Sequence, residues 1–251
     1  MFSSLTHLNP AAWLRRAGLS ILALMAAGTL ATAGPVHSDL LSARARTITV
    51  AVLGDSVAHD LGRGMQDLFA KNSRVRVVHQ TKFATGLVRD DYYDWNKVAR
   101  DFLRSQKPDV IFVVMGGNDN QTIRRGGKRF DPGTKAWRAE YNRLVSRFMN
   151  NFSRKHTRAK IYWVSLPPVR SDKLSSAYRT LNSIYRYQAK RHGFRYVSVS
   201  KRFLTANGAY SSFGANLKGV KRQLRMDDGQ HFTDDGRLLF AYDVARAAGL
   251  L

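Results

Sequence analysis

Residues 47–56 read TITVAVLGDS, an apolar and β-branched run that ends in Gly-Asp-Ser. A continuous run of this kind predicts a strand buried on both faces, because a half-exposed strand alternates apolar and polar residues. Residues 57–71 follow at once, with apolar side chains at helical spacing. A buried strand that passes directly into a helix is typical of a parallel sheet covered by helices.

The same alternation of strands and helices continues along the chain. Further strands are predicted at 75–78, 109–115, 160–166 and 194–199, and further helices at 95–105, 134–152, 176–191 and 234–248. The segments 118–133 and 204–230 are expected to be loops, because the first is basic and contains glycines and the second is long and has no clear period. We therefore expect a three-layer α/β/α fold with a central parallel sheet of about five strands, in one domain that covers residues 47–251.

Composition narrows the chemistry that is available. Hydrophobic residues make up 44% of the 251 residues, enough for a buried core, and there is no cysteine. The missing cysteine excludes disulfide frameworks, thiolate zinc sites and cysteine nucleophiles. Forty-one Lys and Arg against 18 Asp and Glu give a formal net charge of +23. Catalysis would therefore rest on serine, histidine, carboxylates, lysine or a metal held by nitrogen and oxygen atoms; no cofactor is expected.

Residues 1–33 have the pattern of a secretory signal peptide. Arg15 and Arg16 precede an apolar run at 17–32. A permanent membrane anchor is the alternative, although this run is shorter than the ~20 residues of a spanning helix. Residues 34–46 are expected to be a linker. Cleavage would leave a charge of +21 (23 minus 2) on a periplasmic or secreted protein.

Four polar or glycine-containing blocks lie after predicted strands or just before the last helix. They are Gly54-Asp55-Ser56, Gly86, Gly116-Gly117-Asn118-Asp119 and Asp228-Gly229-Gln230-His231. Ligands of an open parallel sheet bind at the carboxyl ends of its strands, so we expect these blocks to gather at one edge.

Ser56 is the candidate nucleophile, because it opens the first predicted helix. A backbone N–H at a helix N-terminus also stabilises a developing negative charge. The common alternative is that Asp55 or Ser56 only caps the helix.

A serine nucleophile needs a base, and the base needs a group that holds its tautomer. Asp228 lies three residues before His231 and can reach the far nitrogen of its ring through a local turn. An incidental histidine in a surface loop is the alternative. His59 is a competing base, but it is expected to point along the helix that Ser56 opens. A metal site is a weaker alternative, because it lacks a second histidine at helical spacing; its ligands would be Asp227, Asp228, His231, Asp234 and Asp235.

Asn118 and Gly86 are candidate oxyanion donors. A side-chain amide at a strand end is suited to this role, and a glycine lets a backbone N–H approach a substrate oxygen closely. In isolation, each residue is as readily explained by a β-turn or an ordinary loop.

Together the four blocks resemble the SGNH hydrolases, also called the GDSL esterase/lipase superfamily, in which Ser, Gly, Asn and His blocks occur in this order. The resemblance spans residues 47–248 and implies a flavodoxin-like SGNH hydrolase fold. It implies that Ser56 is the nucleophile, His231 the base and Asp228 its orienting partner. It also implies an oxyanion hole formed by the Ser56 and Gly86 N–H groups and the Asn118 side chain, with no metal. Residues 85–95 look like an exported bacterial subgroup whose members mostly lack an assigned substrate.

Two basic loops adjoin the predicted site. They contain Arg124, Arg125, Lys128 and Arg129, and Lys218, Lys221, Arg222 and Arg225. A solvated basic surface explains any one of these residues, but eight positive charges predict a positive field over the cleft. Arg124, Arg125 and Arg222 are our candidates for substrate binding, and an anionic polymer of the cell envelope is a candidate partner.

The sequence thus predicts an exported serine esterase that removes small acyl groups, above all O-acetyl groups, from cell-envelope or extracellular carbohydrate. Alternatives are a basic nucleic-acid-binding or glycan-binding protein without catalysis, or a lipase or thioesterase of the same fold. The predicted signal and the absence of a recognised nucleic-acid module argue against specific nucleic-acid binding. A membrane contact is expected only through residues 1–33, if they are uncleaved.

Overall fold

Five parallel strands form the central sheet of the computed structural model, which describes residues 46–251. In chain order the strands are β1 (Ile48–Gly54), β2 (Val75–Thr81), β3 (Val110–Val114), β4 (Ile123–Arg125), β5 (Lys128–Phe130), β6 (Lys160–Val164), β7 (Arg195–Val197), β8 (Phe213–Ala215) and β9 (Lys221–Gln223). The central sheet has the order β2-β1-β3-β6-β7. The predictions for residues 1–33 and 34–46 lie outside the described residues, apart from Arg46.

Five helices cover this sheet. They are α1 (Ser56–Phe69), α2 (Trp95–Gln106), α3 (Lys135–Asn150), α4 (Asp172–His192) and α5 (Asp234–Ala247), with a short 3₁₀ helix at Ser200–Phe203. Helix α1 packs against α5, and α3 packs against α4 and α2. The three-layer α/β/α fold predicted from the sequence is confirmed. No helix within residues 46–251 is long and apolar enough to cross a membrane.

The register of the sheet aligns the carboxyl ends of three neighbouring strands. Gly54 at the end of β1 pairs with Thr81 of β2 on one side and with Val114 of β3 on the other. The loops that follow these strands therefore begin side by side. We call this the catalytic edge, because the sequence places its candidate catalytic residues here, and we call the edge where β1, β3 and β6 begin the opposite edge.

Two segments expected to be loops each contain a short antiparallel hairpin. Strands β4 and β5 pair around Gly126 and Gly127, and β8 pairs with β9. Three-residue strands are too short to show a period in the sequence. The paired glycines, with φ of +55° and +71°, are a turn signal that marks the first hairpin.

Candidate active site

Ser56 is the first residue of α1, and the turn before it requires glycine. Gly54 has φ +144°, and a Cβ there would lie 1.7 Å from the Val114 carbonyl oxygen. Strand β1 can therefore press against β3 just before the chain turns into the helix. Ser56 is buried, and among residues 46–251 no hydrogen bond uses its backbone N–H. A free N–H in the first turn of a helix is a ready donor to an anion.

Asp55 holds the end of β1 to the loop after β3. It is fully buried and caps α1, since its Oδ1 accepts a hydrogen bond from the Val57 N–H at 3.0 Å. Its Oδ2 accepts from the N–H groups of Gly116 at 3.0 Å and Gly117 at 2.8 Å. Burial raises the pKa of Asp55 to about 6, although these N–H groups favour its charged form.

Asp228 and His231 form the predicted pair. The His231 Nδ1 lies 2.6 Å from Asp228 Oδ2, and Asp228 Oδ1 accepts from the N–H groups of Gln230 at 2.7 Å and His231 at 2.9 Å. Partial burial opposes ionisation of Asp228, but the His231 ring and the two N–H groups together lower its pKa to about 2. The carboxylate is therefore charged at neutral pH and holds both the loop and the ring.

The other ring nitrogen of His231 is available as a base. Its Nε2 is buried and has no hydrogen-bond partner within the part of the chain that the structure describes. A ring that donates its Nδ1 hydrogen to a carboxylate keeps the lone pair of a neutral imidazole on Nε2. This is the arrangement that deprotonation of a serine hydroxyl requires.

A contact from α1 places the His231 loop beside the start of that helix. The Phe232 N–H donates to Asp60 Oδ2 at 3.3 Å, and Asp60 lies one helical turn after Ser56. Burial raises the pKa of Asp60 to about 6, against the opposing effect of His231 nearby. The first and last blocks of the sequence thus meet at the catalytic edge.

Arg225 is part of the scaffold of this loop. We expected it among the basic residues over the cleft, and that prediction is wrong for this residue. Its side chain is fully buried and its guanidinium lies 4.2 Å from the centre of the Phe232 ring. It donates to the carbonyl oxygens of Pro168 at 2.8 Å, Gln230 and His231. The guanidinium thereby joins the His231 loop to the loop after β6.

Gly86 is required because a carboxylate occupies the space where its side chain would be. A Cβ at Gly86 would lie 2.1 Å from Asp119 Oδ1. Asp119 is fully buried and accepts from the N–H groups of Leu87 at 2.9 Å and Val88 at 3.0 Å, and from the Tyr141 hydroxyl at 2.8 Å. The second and third blocks are therefore locked together through Asp119.

This lock leaves two further donors available. Asn118 donates one amide hydrogen to the Thr85 carbonyl at 3.0 Å and keeps the other. No hydrogen bond of the Gly86 N–H is found among residues 46–251. The Ser56 N–H, the Gly86 N–H and the Asn118 amide therefore stay candidates for the oxyanion donors that the sequence predicts.

Comparison with known proteins identifies the family. A family described as "Protein of unknown function (DUF459)" matches residues 49–247. The chain belongs to the DUF459 family. It is an SGNH-like family, which confirms the resemblance seen in the sequence. No curated protein sequence matches the chain.

Solved structures similar to this DUF459 chain are GDSL proteins and acyl hydrolases. One is a member of the lipolytic protein G-D-S-L family from Veillonella parvula DSM 2008, with a TM-score of 0.56 and 14% identity over 82% of this chain and 100% of that chain. Another is Est24, a carbohydrate acetylesterase from Sinorhizobium meliloti, with a TM-score of 0.56 and 12% identity over 82% and 100%. A third is TesA, with a TM-score of 0.51 and 18% identity over 81% and 99%. At these identities the similarity establishes the fold alone.

His59 of the DUF459 chain faces β2, away from the carboxylate that orients His231. Its Nδ1 lies 3.3 Å from Thr81 Oγ1, and its ring packs against those of His79 and Phe83. Burial, and then the neighbouring His79, lower the pKa of His59. Among residues 46–251 it has no carboxylate partner of the kind that His231 has.

The acidic residues of the metal alternative are held by separate partners. Asp227 accepts from Gln223 at 2.9 Å and Asp235 from Asn216 at 3.0 Å, whereas Asp234 pairs with Arg237. Within residues 46–251 no group of three or more histidines and carboxylates is arranged to hold a metal ion.

The candidate substrate-binding arginines differ in their surroundings. Arg125 lies 3.3 Å from Glu140 of α3, so its charge is engaged there. Arg124 and Arg222 are exposed, and neither forms an ion pair with another described residue. A role in substrate binding remains a prediction for all three.

The sequence did not reveal which residues support the site. Asp60, Asp119, Arg225 and Tyr141 are buried polar groups that fix the catalytic loops. The only signal was the position of Asp119 directly after Asn118 in the third block. The partners of these groups lie far away in the sequence, so spacing could not reveal them.

Proposed function

We propose that this DUF459 chain is a serine esterase with Ser56 as nucleophile, His231 as base and Asp228 as the residue that orients His231. The observation that carries the proposal is the Asp228–His231 pair. It leaves Nε2 buried, with no hydrogen-bond partner in residues 46–251, at the edge where Ser56 opens α1. The fold shared with Est24 and TesA supports the same reaction class.

In the proposed reaction, His231 Nε2 takes the hydroxyl proton of Ser56 while Oγ attacks the acyl carbon of the ester. The carbonyl oxygen becomes negative and accepts hydrogen bonds from the Ser56 and Gly86 N–H groups and the Asn118 amide. Collapse expels the alcohol, which takes the proton from His231. Water then attacks the acyl-enzyme by the same route and releases the acid.

The proposed substrates are short acyl esters, above all O-acetyl groups on carbohydrate of the cell envelope or outside the cell. Support comes from the secretory pattern of residues 1–33 and from the carbohydrate acetylesterase among the similar structures. Exposed Arg124 and Arg222 suit an anionic polymer as the acyl carrier. A chain-length series of 4-nitrophenyl esters tests the acyl preference; highest kcat/KM for eight-carbon or ten-carbon esters would contradict it.

The decisive experiment uses a fluorophosphonate probe, which labels activated serines covalently. We expect the wild-type chain to be labelled and Ser56→Ala to be unlabelled and inactive toward 4-nitrophenyl acetate. Ser153→Ala is the matched control, because Ser153 is an exposed serine before β6, away from the catalytic edge. Labelling of Ser56→Ala at the wild-type level would refute the assignment.

A further inference from the structure

Exposed apolar side chains gather at the catalytic edge. Four of them lie in the 213–226 segment, which ends just before Asp227 and Asp228: Phe213, Leu217, Val220 and Met226 are 53%, 40%, 44% and 42% exposed. Phe83 and Tyr92, in the loop after β2, are 54% and 57% exposed at the same edge. A single exposed apolar residue is ordinary, but a group on one edge marks an interaction surface.

The tip of the β8–β9 hairpin is held in a fixed shape. Asn216 Oδ1 accepts from the N–H groups of Lys218 at 3.0 Å and Val220 at 3.1 Å, and the Asn216 N–H donates to the Val220 carbonyl at 2.9 Å. The Asn216 amide also donates to Asp235 at 3.0 Å, at the start of α5. The turn therefore presents Leu217 and Val220 to solvent in a defined geometry.

Cations alternate with these apolar residues. Lys218, Lys221 and Arg222 are exposed, and none forms an ion pair with another residue in 46–251. The 213–226 segment has no Asp or Glu. Apolar side chains interleaved with unpaired cations are the pattern of a surface that enters the interface of an anionic bilayer.

The opposite edge has unpaired cations as well, in a different setting. A concave pocket of about 820 Å³ surrounds the starts of β1, β3 and β6. Its exposed cations without an ion pair in the described chain are Lys107, Arg154, Lys155 and Arg158. Basic residues near helix C-termini are common, because they complement the helix dipole. This cluster therefore provides a control for charge alone.

We propose that the 213–226 segment docks the catalytic edge on an anionic phospholipid surface. Leu217 and Val220 enter the boundary between head groups and acyl chains, and Lys218 and Lys221 contact the phosphates. This proposal extends the esterase function, because it places the ester substrate at a lipid surface beside His231. It concerns where the substrate is held and leaves the short acyl group unchanged.

The test measures partitioning to vesicles of phosphatidylglycerol and phosphatidylcholine against phosphatidylcholine alone. The protein tested is the Ser56→Ala variant that begins at residue 34, so that neither turnover nor the apolar run 17–32 contributes to vesicle binding. Residues 45–251 form a compact unit that contains the complete sheet. We expect binding to anionic vesicles only. Leu217→Ser/Val220→Ser should lower the partition coefficient about ten-fold, and Lys218→Gln/Lys221→Gln on the order of 20-fold.

Matched controls remove the same kinds of side chain elsewhere. Lys107→Gln/Lys155→Gln and Tyr187→Ser/Leu251→Ser should bind as the parent does, since Tyr187 and Leu251 are exposed outside the 213–226 segment. Equal losses in both lysine pairs would mean adsorption by net charge and would overturn the proposal. Binding to dextran sulfate with no vesicle binding would also overturn it, in favour of a polyanionic polymer. A dimer that is seen by light scattering without lipid, and that the Leu217→Ser/Val220→Ser change abolishes, would also overturn the proposal.

The esterase function has a separate readout. Otherwise wild-type protein that carries Leu217→Ser/Val220→Ser should hydrolyse soluble 4-nitrophenyl acetate at the parent rate. Vesicle binding without turnover in the wild-type chain would refute the esterase and keep the docking surface. Turnover without vesicle binding would refute the docking surface and keep the esterase function.

Discussion

Three carboxylates, Asp55, Asp119 and Asp228, each accept at least two backbone N–H groups and so fix one loop of the catalytic edge. Asp55 and Asp119 are fully buried and hold the backbone. Asp228 is exposed and also holds a ring that can carry a proton. Asp55 and Asp119 therefore build the site, whereas Asp228 and His231 form the pair that can perform acid–base chemistry.

At this scale we predict the effect of three substitutions on kcat/KM for an acetyl ester. His231→Ala and Asp228→Asn should each lower kcat/KM by several orders of magnitude. His231→Ala removes the proposed base, and the amide of Asp228→Asn neither holds the required tautomer nor stabilises the imidazolium. His59→Ala is the control and should retain most activity, since His59 contacts Thr81 and forms no ion pair with a carboxylate in the part of the chain that the structure describes. A crippled His59→Ala beside an active His231→Ala would show that the wrong base is named.

At the scale of elements, the sequence predicted every strand of the central sheet, because residues 50–53 and 110–114 are unbroken apolar runs. The predicted helix 134–152 corresponds to α3, which Thr134 caps, and the predicted start at residue 234 matches the start of α5. The hairpins β4–β5 and β8–β9 were missed, since their pairing depends on turns such as the one held by Asn216. The roles of Ser56, Asn118 and His231 came from the order of the four blocks. Spacing alone did not exclude the alternatives, in which Ser56 only caps a helix, Asn118 lies in a turn and His231 is an incidental histidine.

The loop 225–232 is held by the buried side chain of Arg225. Arg225→Ala would leave the carbonyl oxygens of Pro168 and Gln230 without their donor and would open a cavity beside Phe232. We expect a loss of about 3 kcal/mol in the free energy of unfolding, together with a fall in kcat as the His231 loop loosens.

Urea unfolding and turnover of 4-nitrophenyl acetate measure the two effects of Arg225→Ala. Arg179→Ala is the control, because Arg179 is an exposed arginine on α4. Wild-type stability in Arg225→Ala would show that this guanidinium contributes no more than a surface arginine does.

At the scale of the whole molecule, buried carboxylates give stability an unusual dependence on pH. Burial raises the pKa values of Asp55 and Asp60 to about 6, from 3.8. The folded protein therefore binds these protons more tightly than the unfolded chain does. Their contribution to stability is fully present below about pH 4 and is lost as the pH rises to about 6. Asp228, whose pKa is about 2, acts in the opposite sense and loses its contribution as the pH falls from about 4 to 2.

We therefore predict that Asp60→Asn is more stable than the wild type at pH 7 and no more stable at pH 4. The difference at pH 7 should be at most about 3 kcal/mol, from a shift of about two pKa units. Urea unfolding at both pH values measures it, with Asp67→Asn as an exposed control on the same helix. Parallel stability profiles for Asp60→Asn and the wild type would contradict the prediction.

The contact between Asp60 and Phe232 has a consequence for the order in which the protein is made. It joins residues 172 positions apart, so the proposed nucleophile Ser56 leaves the ribosome long before the proposed base His231 does. A nascent chain that has completed β1 and α1 would therefore still lack the proposed proton acceptor of Ser56 until His231 is synthesised. Under the proposed mechanism, unfinished polypeptides would therefore not hydrolyse esters, and a protease that removed the C-terminal segment from residue 225 onward would abolish activity while sparing the central sheet.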